Sequence, residues 1–174
     1  MVTFKLKCLL CGPAGVGKTS LIQRYIKAKF INDYKLTVGV DILTKNVILD
    51  NYETTLSIWD IGGQDRFSFI RSTFYKGAAG ALLVFDLSRP ETWDEIKNWR
   101  AEVKQFAGDI PFVLIGNKVD LLPQIGELID RDECRRYAEE EGSLYIETSA
   151  KENIAVEEAF TTLTKLMIEK KTKG

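Results

Sequence analysis

The chain has 174 residues, enough for one domain with a single core, and 45% of them are hydrophobic. Its 24 basic and 25 acidic residues leave a net charge of -1, which supplies no positive field for non-specific nucleic-acid binding. The absence of histidine excludes Ser-His-Asp triads, Cys-His proteases and His-ligated zinc. We therefore expect one domain over residues 1–174 that binds no nucleic acid.

Short apolar runs alternate with longer amphipathic segments along the chain. The runs that predict strands are Phe4–Cys11, Asp41–Leu49, Thr54–Trp59, Ala81–Asp86, Pro111–Gly116 and Leu144–Ile146. Helices are expected over Lys18–Lys29, Ser88 to about Phe106, Asp130–Glu141 and a C-terminal segment whose apolar face is Val156, Ala159, Phe160, Leu163, Leu166 and Met167. This alternation predicts an α/β fold, with a mostly parallel six-stranded sheet, one antiparallel edge strand and helices on both faces.

Local signals mark several element boundaries. Asp50 and Asn51 read as the turn of a hairpin between the second and third strands. Ser88, three residues before Glu91, predicts a capping box with Ser88 as the N-cap. Gly142 is expected to end the helix before the last strand.

The sequence indicates a cytoplasmic protein. Its longest near-continuous apolar run, residues 77–85, is far shorter than the roughly 20 residues of a membrane-spanning helix, and the N-terminus lacks a signal-peptide hydrophobic region. Cys8 and Cys11 form a C-x-x-C, but a strand directs them to opposite faces of the sheet. Burial as small hydrophobes is therefore favoured over a redox or metal role.

Residues 12–19, GPAGVGKT, match the phosphate-loop pattern G-x-x-x-x-G-K-[ST] between a predicted strand and a predicted helix. The glycines let the backbone curl around a phosphate chain with its N–H groups inward, and the helix adds its N-terminal dipole. Lys18 is placed to reach the β- and γ-phosphates, and the Thr19 hydroxyl to ligate Mg²⁺. By itself the loop indicates a nucleotide without identifying it.

A second loop carries Asp60, Gly63 and Gln64 after the third strand. Asp60 is placed to support a metal ion beside the phosphate loop, and the N–H of Gly63 is free to approach a γ-phosphate. Gln64 is placed to orient an attacking water. The D-x-x-G pattern alone is too common to decide anything.

Two further loops fit the recognition of guanine. In Asn117-Lys118-Val119-Asp120, the Asp120 carboxylate can accept from both N1–H and the 2-amino group of guanine, whereas adenine has an acceptor at N1. The stem of Lys118 can lie over the face of the base. Ser149-Ala150-Lys151 follows the last strand, where a backbone N–H can meet guanine O6. Either motif in isolation also fits an ordinary polar surface loop.

The segment Phe30–Asp41 is polar and lacks clear periodicity. A long irregular loop in a compact domain is usually functional. Thr37 within it can offer Mg²⁺ a second hydroxyl when a γ-phosphate is bound.

In this order, each at a strand-to-loop junction, these motifs resemble the Ras superfamily of small GTPases from Phe4 to Met167. Leu36–Asp41 and Phe74–Ala78 are similar to the corresponding Rab sequences. Residues 59–64, WDIGGQ, instead look like Arf proteins and Gα subunits, because Gly62 stands where Rabs have Ala. The resemblance implies a P-loop NTPase fold with a Ras-like G domain.

The resemblance also implies a role for each matching residue. The residues that would hold the phosphates are Gly15, Val16, Gly17, Lys18, Thr19 and Ser20. Thr19 and Thr37 would ligate Mg²⁺, with Asp60 behind them through water. Gly63 would contact the γ-phosphate, Gln64 the hydrolytic water, and Phe30 the edge of the base. The residues that would read guanine are Asn117, Lys118, Asp120, Ser149, Ala150 and Lys151.

We therefore expect a monomeric molecular switch that binds GTP and GDP with Mg²⁺ and slowly hydrolyses GTP, with Gln64, Lys18 and Thr37 acting in hydrolysis. The γ-phosphate would order residues 30–41 and 62–76 for effectors, with the hydrophobic part of that surface formed by Trp59, Phe67, Phe69 and Phe74. An exchange factor and a GTPase-activating protein are expected partners. The activating protein would supply an arginine, since none is obviously placed for this in the chain itself.

Two alternatives remain at this point. A binding module that holds GTP without turnover is weakly favoured by Ala14, whose methyl can crowd Gln64, and by Gly62. An ATP-using P-loop kinase is disfavoured by Asp120 and by the lack of chain for an arginine-rich lid. Residues 170–174 carry no cysteine and Val2 excludes N-myristoylation, so we expect membrane association only through a missing tail or a partner.

Overall fold

A computed structural model of the protein describes residues 1–27, 40–63 and 68–174, without the side chains of residues 68 and 69. Its strands are β1 (Val2–Cys11), β2 (Val40–Leu49), β3 (Tyr52–Ile61), β4 (Gly80–Asp86), β5 (Phe112–Asn117) and β6 (Leu144–Thr148). Its helices are α1 (Lys18–Lys27), α2 (Ser68–Arg71), α3 (Pro90–Asp94), α4 (Ile96–Ala107), α5 (Leu122–Ile125), α6 (Arg131–Glu140) and α7 (Val156–Lys173). Two 3₁₀ turns, Ser72–Phe74 and Val119–Leu121, complete the described elements.

The six strands form one sheet in the order β2-β3-β1-β4-β5-β6. β2 pairs antiparallel with β3, and every other pair is parallel, which confirms the predicted sheet. Leu49 faces Tyr52 across the predicted two-residue turn, where Asp50 has a φ of 53°. Because β1 and β3–β6 run in the same direction, their carboxyl ends and the loops that follow lie along one edge of the sheet.

Helices cover both faces of the sheet over two apolar cores. One core joins α1 and α7 to the sheet and includes Cys8 and Phe160; the other joins α4 and α6 and includes Cys11 and Trp99. The two cysteines therefore face opposite cores as predicted, and burial raises the pKa of each thiol to about 12. No helix among the described residues has both the length and the apolar character needed to cross a membrane.

One predicted boundary is wrong. Ser88 is not an N-cap: the N-cap of α3 is Arg89, and Ser88 donates its N–H and its hydroxyl to Asp86 Oδ1 at 2.8 and 2.6 Å. Both donor groups of Ser88 are directed to the buried Asp86 carboxylate, which orients the side chain toward the end of β4 and not toward the first turn of the helix. The single predicted helix is also divided, with α3 ending at Asp94 and α4 beginning at Ile96.

The other three predicted helices match the structure closely, whereas the short helices α2 and α5 were not predicted. Asp130 caps α6 by accepting from the N–H groups of Asp132 and Glu133, and Gly142, with φ 72°, follows the end of that helix. The predicted apolar face of α7 is turned into the core, with Leu166 partly buried. α1 is described to Lys27, so the expected extension to Lys29 and the loop residues 30–39 lie outside the described part of the chain.

Candidate nucleotide-binding site

The P-loop, residues 12–19, connects the end of β1 to the first residues of α1. Gly17 within it has a φ of +104°, and a Cβ built on it would lie 2.3 Å from Asn117 Nδ2. Only glycine fits this position, because any side chain would combine a strained backbone with a clash. The loop is therefore packed directly against the segment that carries the predicted guanine-reading residues.

Lys18 is buried inside the P-loop. Its Nζ donates to the carbonyl oxygens of Gly12 and Pro13 at 2.7 and 2.9 Å. Burial lowers the pKa of Lys18 to about 8, although the nearby Asp60 carboxylate opposes this shift. A desolvated ammonium inside a loop of backbone amides is suited to an anionic ligand, because an anion would compensate its charge.

Thr19 and Asp60 come together although 41 residues separate them. The Thr19 hydroxyl donates to Asp60 Oδ2 at 2.5 Å, and the Asp60 side chain is buried at the end of β3. A hydroxyl and a carboxylate are hard oxygen donors of the kind that Mg²⁺ binds, so this pair fits the predicted metal role. Thr37, the other predicted ligand, lies outside the described residues.

Gly63 packs against the P-loop, since a Cβ built on it would lie 2.4 Å from Gly12 O and 2.6 Å from Ala14 N. The loop after β3 therefore begins in contact with the segment that is predicted to hold the phosphates. Gln64 and Phe30 lie outside the described residues, so their predicted roles stay predictions.

The predicted guanine-reading residues lie in two adjacent loops after β5 and β6. Asp120 Oδ1 accepts from the Ser149 hydroxyl at 2.7 Å, which joins the two loops. Arg24 on α1 donates to the carbonyls of Ala150 and Lys151 at 2.8 and 2.9 Å. The second loop is thereby tied to the first helix.

Asn117 has a connecting role that its motif did not reveal. Its Nδ2 donates to Val16 O and its Oδ1 accepts from the Thr148 hydroxyl, both at 2.9 Å. The side chain is buried, and it joins the P-loop to β5 and β6. Lys118, in the left-handed conformation at φ 69°, reaches back to Gly15 O at 3.1 Å.

Asp86 and Arg89 are site residues that the sequence prediction missed. The Asp86 carboxylate, at the carboxyl end of β4, accepts from Lys118 Nζ at 2.9 Å and from Arg89 Nε at 3.0 Å. Burial opposes its ionisation, but hydrogen bonds from Ser88 and Lys118 outweigh this and lower the pKa of Asp86. An acid that ends a buried strand was the available signal for Asp86; Arg89 offered none.

The geometry defines a P-loop protein in which residues predicted to bind phosphate, metal and base lie along one edge of the sheet, at the carboxyl ends of its parallel strands. A family model described as Ras family matches residues 7–169. The chain is 42% identical to GTP-binding protein yptV5 of Volvox carteri, over 92% of this chain and 80% of that protein. It is also 42% identical to Ras-related protein Rab7 of Pisum sativum, over 92% and 81%. Identity to the Ypt/Rab-type GTPase ypt7 of Schizosaccharomyces pombe is 40%, over 94% and 82%.

The chain therefore belongs to the Ras family. It is a Rab-like GTP-binding switch GTPase, as the motifs predicted. The separate similarity of residues 59–64 to Arf proteins and Gα subunits stays a prediction.

Proposed function

We propose that the protein is a single G domain that cycles between GTP and GDP with Mg²⁺ and presents a nucleotide-dependent surface to trafficking effectors. The observation that carries this proposal is a set of hydrogen bonds at one edge of the sheet. They join the P-loop to the end of β3, to the segment after β4 and to the end of β5 with its following loop, and they join that loop to the loop after β6. One edge of the sheet thus presents groups for the phosphates, the metal and the base.

Different described residues bind the phosphates, the base and the metal. Lys18 offers a buried positive charge to the phosphates, and the P-loop amides surround them. Asp120, oriented by the Ser149 hydroxyl, accepts from the guanine N1–H and 2-amino groups. Thr19 and Asp60 would hold Mg²⁺, which neutralises phosphate charge when bound. Their hydrogen bond positions both oxygens beside the P-loop.

An aromatic patch beside residues 62–76, the second switch segment, supports effector binding. The rings of Trp59 and Phe74 lie 6.3 Å apart, and Ile42, which is 49% exposed, faces Trp59 across β2 and β3. Lys7 Nζ lies 3.5 Å from the centre of the Trp59 ring and donates to Lys76 O at 2.9 Å. The Trp59 ring therefore contacts both β1, through Lys7, and the second switch segment, through Phe74. Of the predicted aromatic group, Phe67 and the side chain of Phe69 lie outside the described part.

The first test is to denature the purified protein and identify the released nucleotide by chromatography. Stoichiometric GDP is expected, because tight guanine binding with working hydrolysis leaves the product in the site. Mostly GTP would favour the binding module that does not turn over. Adenine nucleotide would overturn the proposal.

The switch itself can be followed by tryptophan fluorescence. Replacing GDP by a non-hydrolysable GTP analogue is expected to change the emission of Trp59, because this ring contacts the switch segment. Because the Trp99 ring also contacts Arg71 of that segment, the comparison is made in a Trp99→Phe background. There the change should disappear in Trp59→Phe and persist in the control Trp93→Phe, whose ring packs on Phe85. A signal that survives Trp59→Phe in that background would contradict the placement of the switch surface.

A further inference from the structure

Three successive carbonyl groups of the P-loop each accept a hydrogen bond from a different side chain. Asn117 Nδ2 donates to Val16 O at 2.9 Å and Lys118 Nζ to Gly15 O at 3.1 Å. Arg89 Nη2 donates to Ala14 O at 3.0 Å. Asn117 and Lys118 belong to the base motif, whereas Arg89 comes from the segment between β4 and α3, and no role in binding has been assigned to it above.

Each of these bonds also determines where an N–H group points. A trans peptide is planar, so its C=O and the N–H of the next residue point in opposite directions. Holding the Ala14 carbonyl toward Arg89 therefore turns the N–H of Gly15 to the other side. Gly15 has a φ of +77°. Because glycine has no Cβ, no side chain restrains the orientation of the peptide before it. A hydrogen bond from outside the loop is therefore needed to fix the orientation of this peptide.

Asp86 fixes Arg89 in the position that the bond requires. Arg89 Nε donates to Asp86 Oδ2 at 3.0 Å, and the Asp86 side chain is 1% exposed. The same oxygen accepts from Lys118, so one buried carboxylate anchors the cations that hold the carbonyls of Ala14 and Gly15. Because the guanidinium is a planar fork, its bond to Asp86 also sets the direction of its bond to Ala14.

We propose that Arg89 is a positioning residue for the bound nucleotide. It holds the Ala14–Gly15 peptide so that the N–H of Gly15 faces the phosphate chain, and it thereby slows nucleotide release. This inference rests on the proposed function, because it requires a phosphate chain in the P-loop.

The test compares release of a fluorescent GDP from the wild type, Arg89→Met, Arg89→Lys and the control Arg135→Met. Arg135 is an exposed cation on α6 that pairs with Asp132, so its loss removes the same charge without touching the P-loop. Arg89→Met is expected to release GDP about tenfold faster, the effect of losing one charge-assisted hydrogen bond. Arg89→Lys keeps one charged donor but loses the fork that bonds to Asp86 and Ala14 at once, so its release rate should lie between those of the wild type and Arg89→Met.

Two further measurements separate positioning from general stability. Phosphorus NMR of bound GDP should show shifted resonances in Arg89→Met and unshifted ones in Arg135→Met, because only the first changes an N–H beside the phosphates. The urea midpoint of the nucleotide-stripped protein, which carries no contribution from GDP binding, should be the same for Arg89→Met and Arg89→Lys.

The possible failures are distinguishable. If the wild type retains no guanine nucleotide, the proposed function fails and this inference fails with it. If the wild type holds GDP and Arg89→Met releases it at the wild-type rate, only the role of Arg89 is overturned. Faster release with unshifted phosphorus resonances, or release from Arg89→Lys as fast as from Arg89→Met, would overturn it equally.

Discussion

Replacing Gly17 by alanine tests the packing of the P-loop against the base-reading segment. The new Cβ would meet Asn117 Nδ2 at 2.3 Å and adopt a φ of +104°. The backbone strain costs about 1–2 kcal/mol, and displacing Asn117 from Val16 and Thr148 costs about 2–3 kcal/mol more for two buried hydrogen bonds. We expect the variant to be destabilised by about 4 kcal/mol.

The matched control is Gly142→Ala. Gly142 has a φ of +72°, and no described atom lies within 4 Å of a Cβ built on it, so this variant carries the backbone strain alone. The lower chain entropy of alanine in the unfolded state is common to both variants and cancels in their difference. That difference should be about 2–3 kcal/mol, or roughly 8 °C in Tm for a domain of this size.

The assay is thermal unfolding of the nucleotide-stripped proteins, followed by circular dichroism. It reports the packing without any contribution from nucleotide binding. Equal losses of Tm in the two variants would refute the reasoning, because the contact with Asn117 would then cost nothing. Weakened GDP binding with an unchanged Tm would refute it too, since the clash lies within the folded protein itself.

Three further predictions concern the base, the phosphate lysine and the second switch segment. Asp120→Asn should weaken GTP binding by about 10²–10⁴-fold and favour xanthine nucleotides, which carry a carbonyl at position 2; unchanged GTP affinity in a titration would disprove the role of this carboxylate in reading the base. Because the pKa of Lys18 is about 8, the empty site loses positive charge as the pH rises, so the Kd for GDP should increase about tenfold from pH 7 to 9. A flat profile would contradict the protonated form as the binding form. Glu102→Gln removes the carboxylate that binds the buried Arg71 guanidinium at two positions, each 3.0 Å, and should cost about 3 kcal/mol in urea unfolding. The exposed control Glu91→Gln should change stability by less than about 0.5 kcal/mol, and an equal effect of both would contradict this.

Sequence patterns predicted the fold wherever local chemistry decides structure. Asp50 and Asn51 were identified as a hairpin turn, and Leu49 does face Tyr52 across them. Asp130 was placed at the start of a helix that it caps. The prediction at Ser88 was wrong because a buried carboxylate two residues away accepts its hydroxyl. The local sequence does not show that Asp86 is buried, because its burial depends on how the rest of the chain packs around it.

The sequence by itself determined which residues are available for nucleotide chemistry. Each nucleotide motif lies within one short segment, and the spacing of its residues depends on local backbone geometry. The P-loop glycines, Lys18 and Asp120 can therefore be recognised from the sequence without knowledge of the fold. Tertiary structure alone decided how these segments are joined. Asn117 and Arg89 reach the P-loop across 101 and 75 residues. They can do so because the parallel sheet places the ends of β1, β4 and β5 side by side. Hydrogen bonds between distant segments depend on strand order, which is fixed by the packing of the whole core and not by any single motif.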